Sequence, residues 1–341
     1  MAKKKVPEHF TQGNTLLKLN LGCGTDHRES WVNIDAVADV KPDLLHDLHE
    51  PLPFPDHSVN QVLAQDILEH FTKEDAQKVI AEIGRVLEIG GTVEVRVPNV
   101  DEIIERFSQY KETRNEFLYG TTFHTGIFGA HKVGYTPEMM VRFMMEHGLE
   151  LKTLELEETN FHFVFEKVAA ARSLRSLVFF GKVEQDTTEV VKTTLEQLRQ
   201  QGTNVRWIDL NGLRSYWNIF MELFRNPPQL VLFSSLWPQV FGTVFAVIMG
   251  TSVVWLEEKG DQAEINRWFK MPRLFYYLVK DLPETVLATS DNVKSNLTRR
   301  HVPLELLHVI ALSAKDGSTQ LAAALRRAFW KSEARRVAQR Y

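Results

Sequence analysis

Residues Leu16 to Asp35 read LLKLNLGCGTDHRESWVNID. Leucines at positions 16, 17, 19 and 21 make the apolar run that a buried strand needs. The run breaks at Gly22-Cys23-Gly24, and a second short run, Trp31-Val32-Asn33-Ile34, ends in Asp35. Strand, glycine turn, second strand and terminal carboxylate together have the form of a nucleoside pocket. Glycines let the backbone approach a ligand, and an acid at the tip of the next strand accepts hydrogen bonds from ribose hydroxyls. Ordinary turn chemistry makes the same pattern, with Asp35 as a helix N-cap. The stretches that follow decide between the two.

With 341 residues, the chain has room for about two domains. It is 44% hydrophobic and 25% charged with a net charge of -4, so no bulk positive charge points to nucleic acid. A single cysteine excludes an internal disulfide framework and fits a reducing compartment, expected to be the cytoplasm. The opening MAKKKVPEHF has charge but no apolar core, so no secretory signal is read there. Pro227 to Leu256 carries no charge and is long enough to span a membrane. Prolines 228 and 238, glycines 242 and 250 and two Ser/Thr pairs divide it, and the expectation is strand (230–233), short helix (240–249) and strand (252–256).

After Asp35, a short strand at Leu44-Leu45 precedes Asp47 and Leu48, and HEPLPFPDHS follows as a proline-rigid loop. Val59 to Ala64 reads as a buried strand, followed by Gln65-Asp66. Residues 75–88 carry apolar positions at helical spacing and meet Gly90-Gly91, read as the helix stop. Thr92 to Val97 alternates as a strand. Alternating strands and helices predict a doubly wound, mostly parallel α/β sheet with its ligand at the carboxyl ends of the strands.

The set LNLGCG, VNID, LHDLHEPLPFPDHSVNQVLAQDILEHF and IGRVLEIGGTVEVRVPN, in this order and spacing, resembles the class I S-adenosylmethionine-dependent methyltransferases, of the type that acts on small molecules and sugars. The resemblance covers residues 15 to about 168 and implies a terminal antiparallel hairpin at 149–157 and 161–167. It implies S-adenosylmethionine as cofactor. Gly22, Cys23 and Gly24 would face its methionine end and Asp35 its ribose. Asp47 and Leu48 would meet the adenine, with Gln65 and Asp66 on the sulfonium side. Where many relatives have an acid and a third glycine, this chain has Asn20 and Asp26; Asn20 can still accept from the cofactor's ammonium. Cys23 is also read as a small buried residue with no base beside it, and Glu69 and His70 as fixing the loop and the next helix.

Asp101 to Tyr110 reads as a helix. The segment FLYGTTFHTGIFGAHKVGYTPEMM then sets four glycines among aromatics and two histidines, and Thr136-Pro137 opens another helix. Such a loop is costly to order and is commonly functional. Methyl transfer to a hydroxyl needs a base for the departing proton. His131 and His124 are the candidates, His131 first, with Tyr135 as a positioning group. His46, His49 and His57 with Asp47 and Asp56 have no recognised ligand spacing, so no metal site is read.

From Ser173 a second alternation starts, with strands expected at 177–180, 205–210, 230–233, 252–256, 285–288 and 307–310 and helices at 187–201, 213–224, 262–280 and 292–299. This predicts a second doubly wound domain over 173–341. PQVFGTVFAVIMGTSVVWLEE and ETVLATSDNVKSNLTRRHVPLELLHVIAL resemble the N-terminal, acceptor-side half of GT-B glycosyltransferases. A Gly-Gly turn, a histidine after the fourth strand and a second Rossmann half are missing from that pattern. The resemblance therefore implies an acceptor-binding or partner-docking module, and a methyltransferase acting on a sugar or cell-surface glycan precursor. The alternative is a scaffold in a glycan assembly complex, with a glycosyltransferase as partner. The tail from 318 sets Arg326, Arg327, Lys331, Arg335, Arg336 and Arg340 among Leu325, Phe329, Trp330 and Val337. It reads as a solvated closing helix or, alternatively, as one lying on an anionic membrane at its inner face.

Overall fold

A computed structural model describes residues 16–120, 129–170, 172–181, 185–208, 214–234, 238–258, 279–299, 301–312 and 316–340. Contacts divide the chain into two units, residues 1–172 with 333–341, and residues 173–332. The second unit therefore closes at 332, where the sequence reading had carried it to the end of the chain.

In the first unit, β1 (Lys18–Leu21), β2 (Val32–Asp35), β3 (Leu44–Leu45), β4 (Val59–Gln65), β5 (Leu87–Pro98), β6 (Leu149–Glu157) and β7 (Asn160–Lys167) form one sheet in the order β3-β2-β1-β4-β5-β7-β6. β1 to β5 pair in parallel, while β7 runs antiparallel to both β5 and β6. Leu19, Leu21, Val32, Ile34, Val62, Ala64, Val93 and Val95 are buried, as parallel strands covered on both faces require. Helix α1 (Lys73–Val86) starts at Thr72, whose hydroxyl accepts from the Asp75 amide at 3.2 Å, and buries Ala76, Val79, Ile80 and Ile83. Helix α2 (Val100–Arg106) starts at Asn99, and helix α3 (Lys111–Tyr119) follows where the sequence reading placed loop from Phe117 onward. Helix α4 (Pro137–Glu146) has Thr136 as its cap and Pro137 in its first turn.

Gly90-Gly91 does not stop α1. The helix has already ended at Val86, and both glycines lie within β5. The pairing shifts from Val59 with Leu87 to Gln61 with Thr92, so β5 carries the bulge there. Gly90 sits at φ +84°, and a Cβ on Gly91 would come within 2.9 Å of the Asn60 carbonyl oxygen. Glycine is needed for the bulge and the close approach, not for a cap.

In the second unit, β8 (Ser176–Phe180), β9 (Asn204–Ile208), β10 (Leu230–Ser234), β11 (Ser252–Glu257), β12 (Thr285–Ala288) and β13 (Leu307–Val309) form a parallel sheet in the order β13-β12-β11-β10-β8-β9. Between them lie α5 (Gln185–Gln200), α6 (Arg214–Arg225), α7 (Thr243–Ile248) and α8 (Asp291–Arg299); the expected helix at 262–280 falls almost wholly outside the described residues. The uncharged stretch at 227–256 is thus strand, helix and strand. No helix among the described residues is long and apolar enough to cross a membrane. The last helix, α9 (Gly317–Ala338), buries Leu321, Leu325, Ala328 and Phe329 with Leu177, Phe179 and Leu232. Leu325 and Phe329 are therefore core residues.

Phe163 and Phe165 on β7 are fully buried and stacked with ring centres 5.7 Å apart. Phe165→Ala is expected to lower the unfolding free energy of the first unit by about 3–5 kcal/mol in urea titrations.

Candidate functional site

Gly22 and Gly24 follow β1 at φ +64° and +49°. A Cβ on Gly22 would lie 2.5 Å from Ile67 Cδ1, whereas one on Gly24 would meet no atom within 4 Å. The turn is fastened to β2. The Gly24 amide donates to Asp35 Oδ2 at 2.9 Å and the Cys23 amide to the Ile34 carbonyl at 3.0 Å. Asp35 Oδ1 accepts from the Val37 amide at 2.8 Å, and the short helix that follows, 38–40, has Val37 and not Asp35 at its N-cap. An ionised carboxylate has about four acceptor directions, so Asp35 keeps capacity for a further donor.

These residues border a cleft of about 520 Å³ lined by Gly22, Gly24, Asp35, Val37, Asp66, Ile67, His70, Glu116, Phe117, Gly120, Gly129 and His131. It lies at the carboxyl ends of β1 and β4, where the sheet order changes direction, which is the usual ligand position in a doubly wound sheet. Gly120, at φ +71°, pairs with Ala130 across the neck of the loop, and a Cβ on it would strike the Gly129 carbonyl oxygen at 2.1 Å. Segment 121–128, with His124, is outside the described residues.

The cleft gathers Gly22, Gly24, Asp35, Asp66 and His131 from the residues that the sequence marked. Other marked residues lie off it. Asn20 is buried beneath the turn, its amide donating to the Asp26 carbonyl at 2.7 Å and to Asn33 Oδ1 at 3.1 Å. Cys23 is 4% exposed, and burial, helped by Asp35 and Asp43, pushes its thiol up to about 11. Asp47 Oδ1 is engaged by the His49 amide and ring, Leu48 is buried, and the Gln65 amide donates to Glu94 Oε1 at 2.9 Å. Tyr135 is buried with its hydroxyl donated to the Leu68 carbonyl at 3.0 Å, so it anchors the loop and does not face an acceptor. The histidines at 46, 49 and 57 are dispersed onto the Glu50 carbonyl, Asp47 and the Leu87 carbonyl, and Asp56 pairs with Arg85.

Two neighbours in the 68–70 turn carry more than loop support. His70 lines the cleft with its ring centre 4.9 Å from that of His131, and Nδ1 faces the Ala130 carbonyl at 3.2 Å. Burial holds both imidazoles below the ordinary histidine range; for His131 the nearness of His70 adds to it. Glu69 is 1% exposed and neither carboxylate oxygen has a hydrogen-bond partner. Burial pushes its carboxyl up to about 8. On the same wall, Asp66 stands at φ +51° with the Arg96 guanidinium on its carboxylate. Sequence reading gave Glu69 and His70 only the task of fixing the loop and the next helix, because a single acidic-histidine pair in a turn has no period or spacing to mark it as a site.

Residues 23–95 match the family model of a methyltransferase domain. No curated protein matches the chain in sequence. Solved structures similar to part of it include a SAM-dependent methyltransferase from Methanosarcina mazei, 14% identical with a TM-score of 0.35, covering 48% of this chain and 97% of that one. Another, from Archaeoglobus fulgidus, is 13% identical with a TM-score of 0.34 and covers 45% of this chain and 87% of that one. A third is the Burkholderia thailandensis 1,6-didemethyltoxoflavin-N1-methyltransferase with S-adenosylhomocysteine, 10% identical with a TM-score of 0.31, covering 47% and 74%. S-adenosylmethionine is the cofactor that the methyltransferase match indicates. The site fits it: the open space at Gly24, the spare acceptor capacity of Asp35 and a cleft of nucleoside size are what such a ligand needs.

The Glu69 carboxyl stays protonated in the folded chain up to about 8 but ionises near 4.5 when unfolded. Between those values the native state binds the extra proton, so Glu69 costs stability increasingly as pH rises, and fully above 8. Glu69→Gln, compared with wild type in EDTA, is expected to gain melting temperature from pH 5 to pH 8.5. The same difference at both pH values would show that Glu69 ionises normally.

Proposed function

We propose that the first unit transfers a methyl group from S-adenosylmethionine to a hydroxyl of a sugar or glycan precursor. The observation that carries this reading is the single cleft that holds the Gly22–Gly24 turn and Asp35 on one side and His70 and His131 on the other. When bound, S-adenosylmethionine supplies an electrophilic methyl group on a sulfonium sulfur. Gly22 and Gly24 would give its methionine end close access to backbone, and the Asp35 carboxylate would accept from the ribose hydroxyls. Phe117, held against Phe107 with ring centres 5.0 Å apart, would exclude water from the acceptor's side. An acceptor hydroxyl that reacts must lose its proton, and an imidazole nitrogen of His131 would take it.

The sugar part of the reading rests on the second unit, whose strands β11 to β13 and neighbouring helices carry the glycosyltransferase-like segments. Fold-level likeness supports a class of acceptor and no more. An acceptor-binding role for residues 173–332 fits the absence of a Gly-Gly turn: only Gly181 follows β8, at φ +137°, with a Cβ there only 2.2 Å from Ser234 Oγ.

Calorimetry with S-adenosylmethionine tests the cofactor site. Asp35→Ala is expected to raise Kd by about 10–100-fold, the equivalent of a lost hydrogen bond to a charged group; no binding by the wild-type chain would favour the scaffold alternative instead. With sugar acceptors, His131→Ala is expected to lower kcat by about 10²–10⁴-fold while leaving the cofactor Kd unchanged.

A further inference from the structure

Glu69 poses a physical problem that methyl transfer alone leaves open. A carboxyl group removed from water with no partner on either oxygen costs about 1–3 kcal/mol even as a neutral group and more as an anion. No other side chain donates to its carboxylate among the described residues; its backbone carbonyl is used by the Lys132 amide at 2.7 Å and the Val133 amide at 3.3 Å. Two imidazoles stand beside it. One donor atom from each of Glu69, His70 and His131 lies within 4.8 Å of the other two, and these form the one such group among the described residues.

We propose that Glu69, His70 and His131 form a binding site for a divalent transition-metal ion of the zinc or iron(II) kind. Two imidazoles and one carboxylate are the donor set that such ions take, and nitrogen ligands disfavour magnesium and calcium. Donors about 2.1 Å from one ion stand roughly 3–3.5 Å apart when adjacent, so closing the site needs side-chain rotations of about an ångström. The ring of His70 is already set for the task. The Ala130 carbonyl can only accept, which favours the hydrogen on Nδ1 and Nε2 as the atom offered to an ion, with the Asp66 backbone also in hydrogen-bond reach of the ring. A carbonyl behind the ring of a metal-binding histidine is the common supporting contact. The ion would give the Glu69 carboxylate the partner that the protein does not.

His70 and His131 both line the cleft, so an ion held there with an open position can take an acceptor oxygen and lower its pKa, the proton leaving to solvent. In that case the imidazoles serve as ligands and not as bases. This use rests on the methyl-transfer reading; the ion site does not.

Chelated, dialysed protein titrated with Co²⁺ or Zn²⁺ tests the proposal, followed by visible absorption for Co²⁺ and by elemental analysis after equilibrium dialysis. One ion per chain is expected, with Mg²⁺ failing to compete. Glu69→Gln and His131→Gln should each weaken binding by about 100-fold or more, and His49→Gln, on an exposed imidazole outside the cleft, should leave it unchanged. If Glu69→Gln does not fold, the half-buried His131→Gln decides alone. No binding, or binding that survives loss of His131, overturns the site. Cofactor calorimetry on the chelated protein separates the two ideas. Cofactor binding without metal binding refutes the ion site and spares the methyltransferase reading, and the reverse result does the opposite.

Discussion

The Asp35 carboxylate is the contact on which the first unit's site depends. It sits at the end of β2 and holds two backbone amides, those of Gly24 and Val37. Hydrogen bonds to a charged acceptor contribute about 1.5–3 kcal/mol each, enough to fix a turn that glycine's freedom would otherwise leave loose. Beneath it a second layer does the same for the polar core. Asn20 donates to Asn33, and Asn33 donates from both its backbone and its side chain to Asp43 Oδ2, at 2.9 and 2.7 Å. The turn, the end of β2 and the entry to β3 are thereby one hydrogen-bonded body.

That rigidity places the opposite wall of the cleft in perspective. Asp66, Ile67 and His70 follow β4, the strand on the other side of β1, so parallel pairing sets them across from Gly22. Ile67 fills the space that a side chain on residue 22 would need. His131 reaches the same wall from a different direction. The loop that carries it is pinned by its own amide to the Tyr119 carbonyl, by Tyr135 to Leu68, and by the Lys132 amide to Glu69. The result is a polar, half-buried pair of imidazoles against a buried acid, in a cleft otherwise lined by four glycines, three carboxylates and the apolar side chains of Val37, Ile67 and Phe117.

The second unit repeats the architectural principle. Its parallel sheet buries continuous apolar strands, including SLVFF, LVLFS and SVVWLE, and Trp255 at its centre is fully buried with Nε1 donating to Thr243 Oγ1 at 2.8 Å. At the ends of β8 and β10, Gly181 lies against Ser234, so backbone fills what a longer glycine turn would leave open.

The sequence by itself determined the alternating parallel architecture, the glycine turn after β1, the acid at the end of β2 and the cap at Thr136. All of these are local: apolar runs, glycines and capping residues act on the few positions around them. Tertiary structure decided the fates of polar side chains whose partners lie far along the chain. It turned Gln65 toward Glu94, spent the Tyr135 hydroxyl on Leu68, sank Asn20 into the layer below the turn, and gave Gly90-Gly91 to a bulge opposite Asn60. It also brought His131 to Glu69 and His70. No periodicity marks that meeting, because it depends on where residues 130–135 pack against the 68–70 turn, and only tertiary contacts fix that.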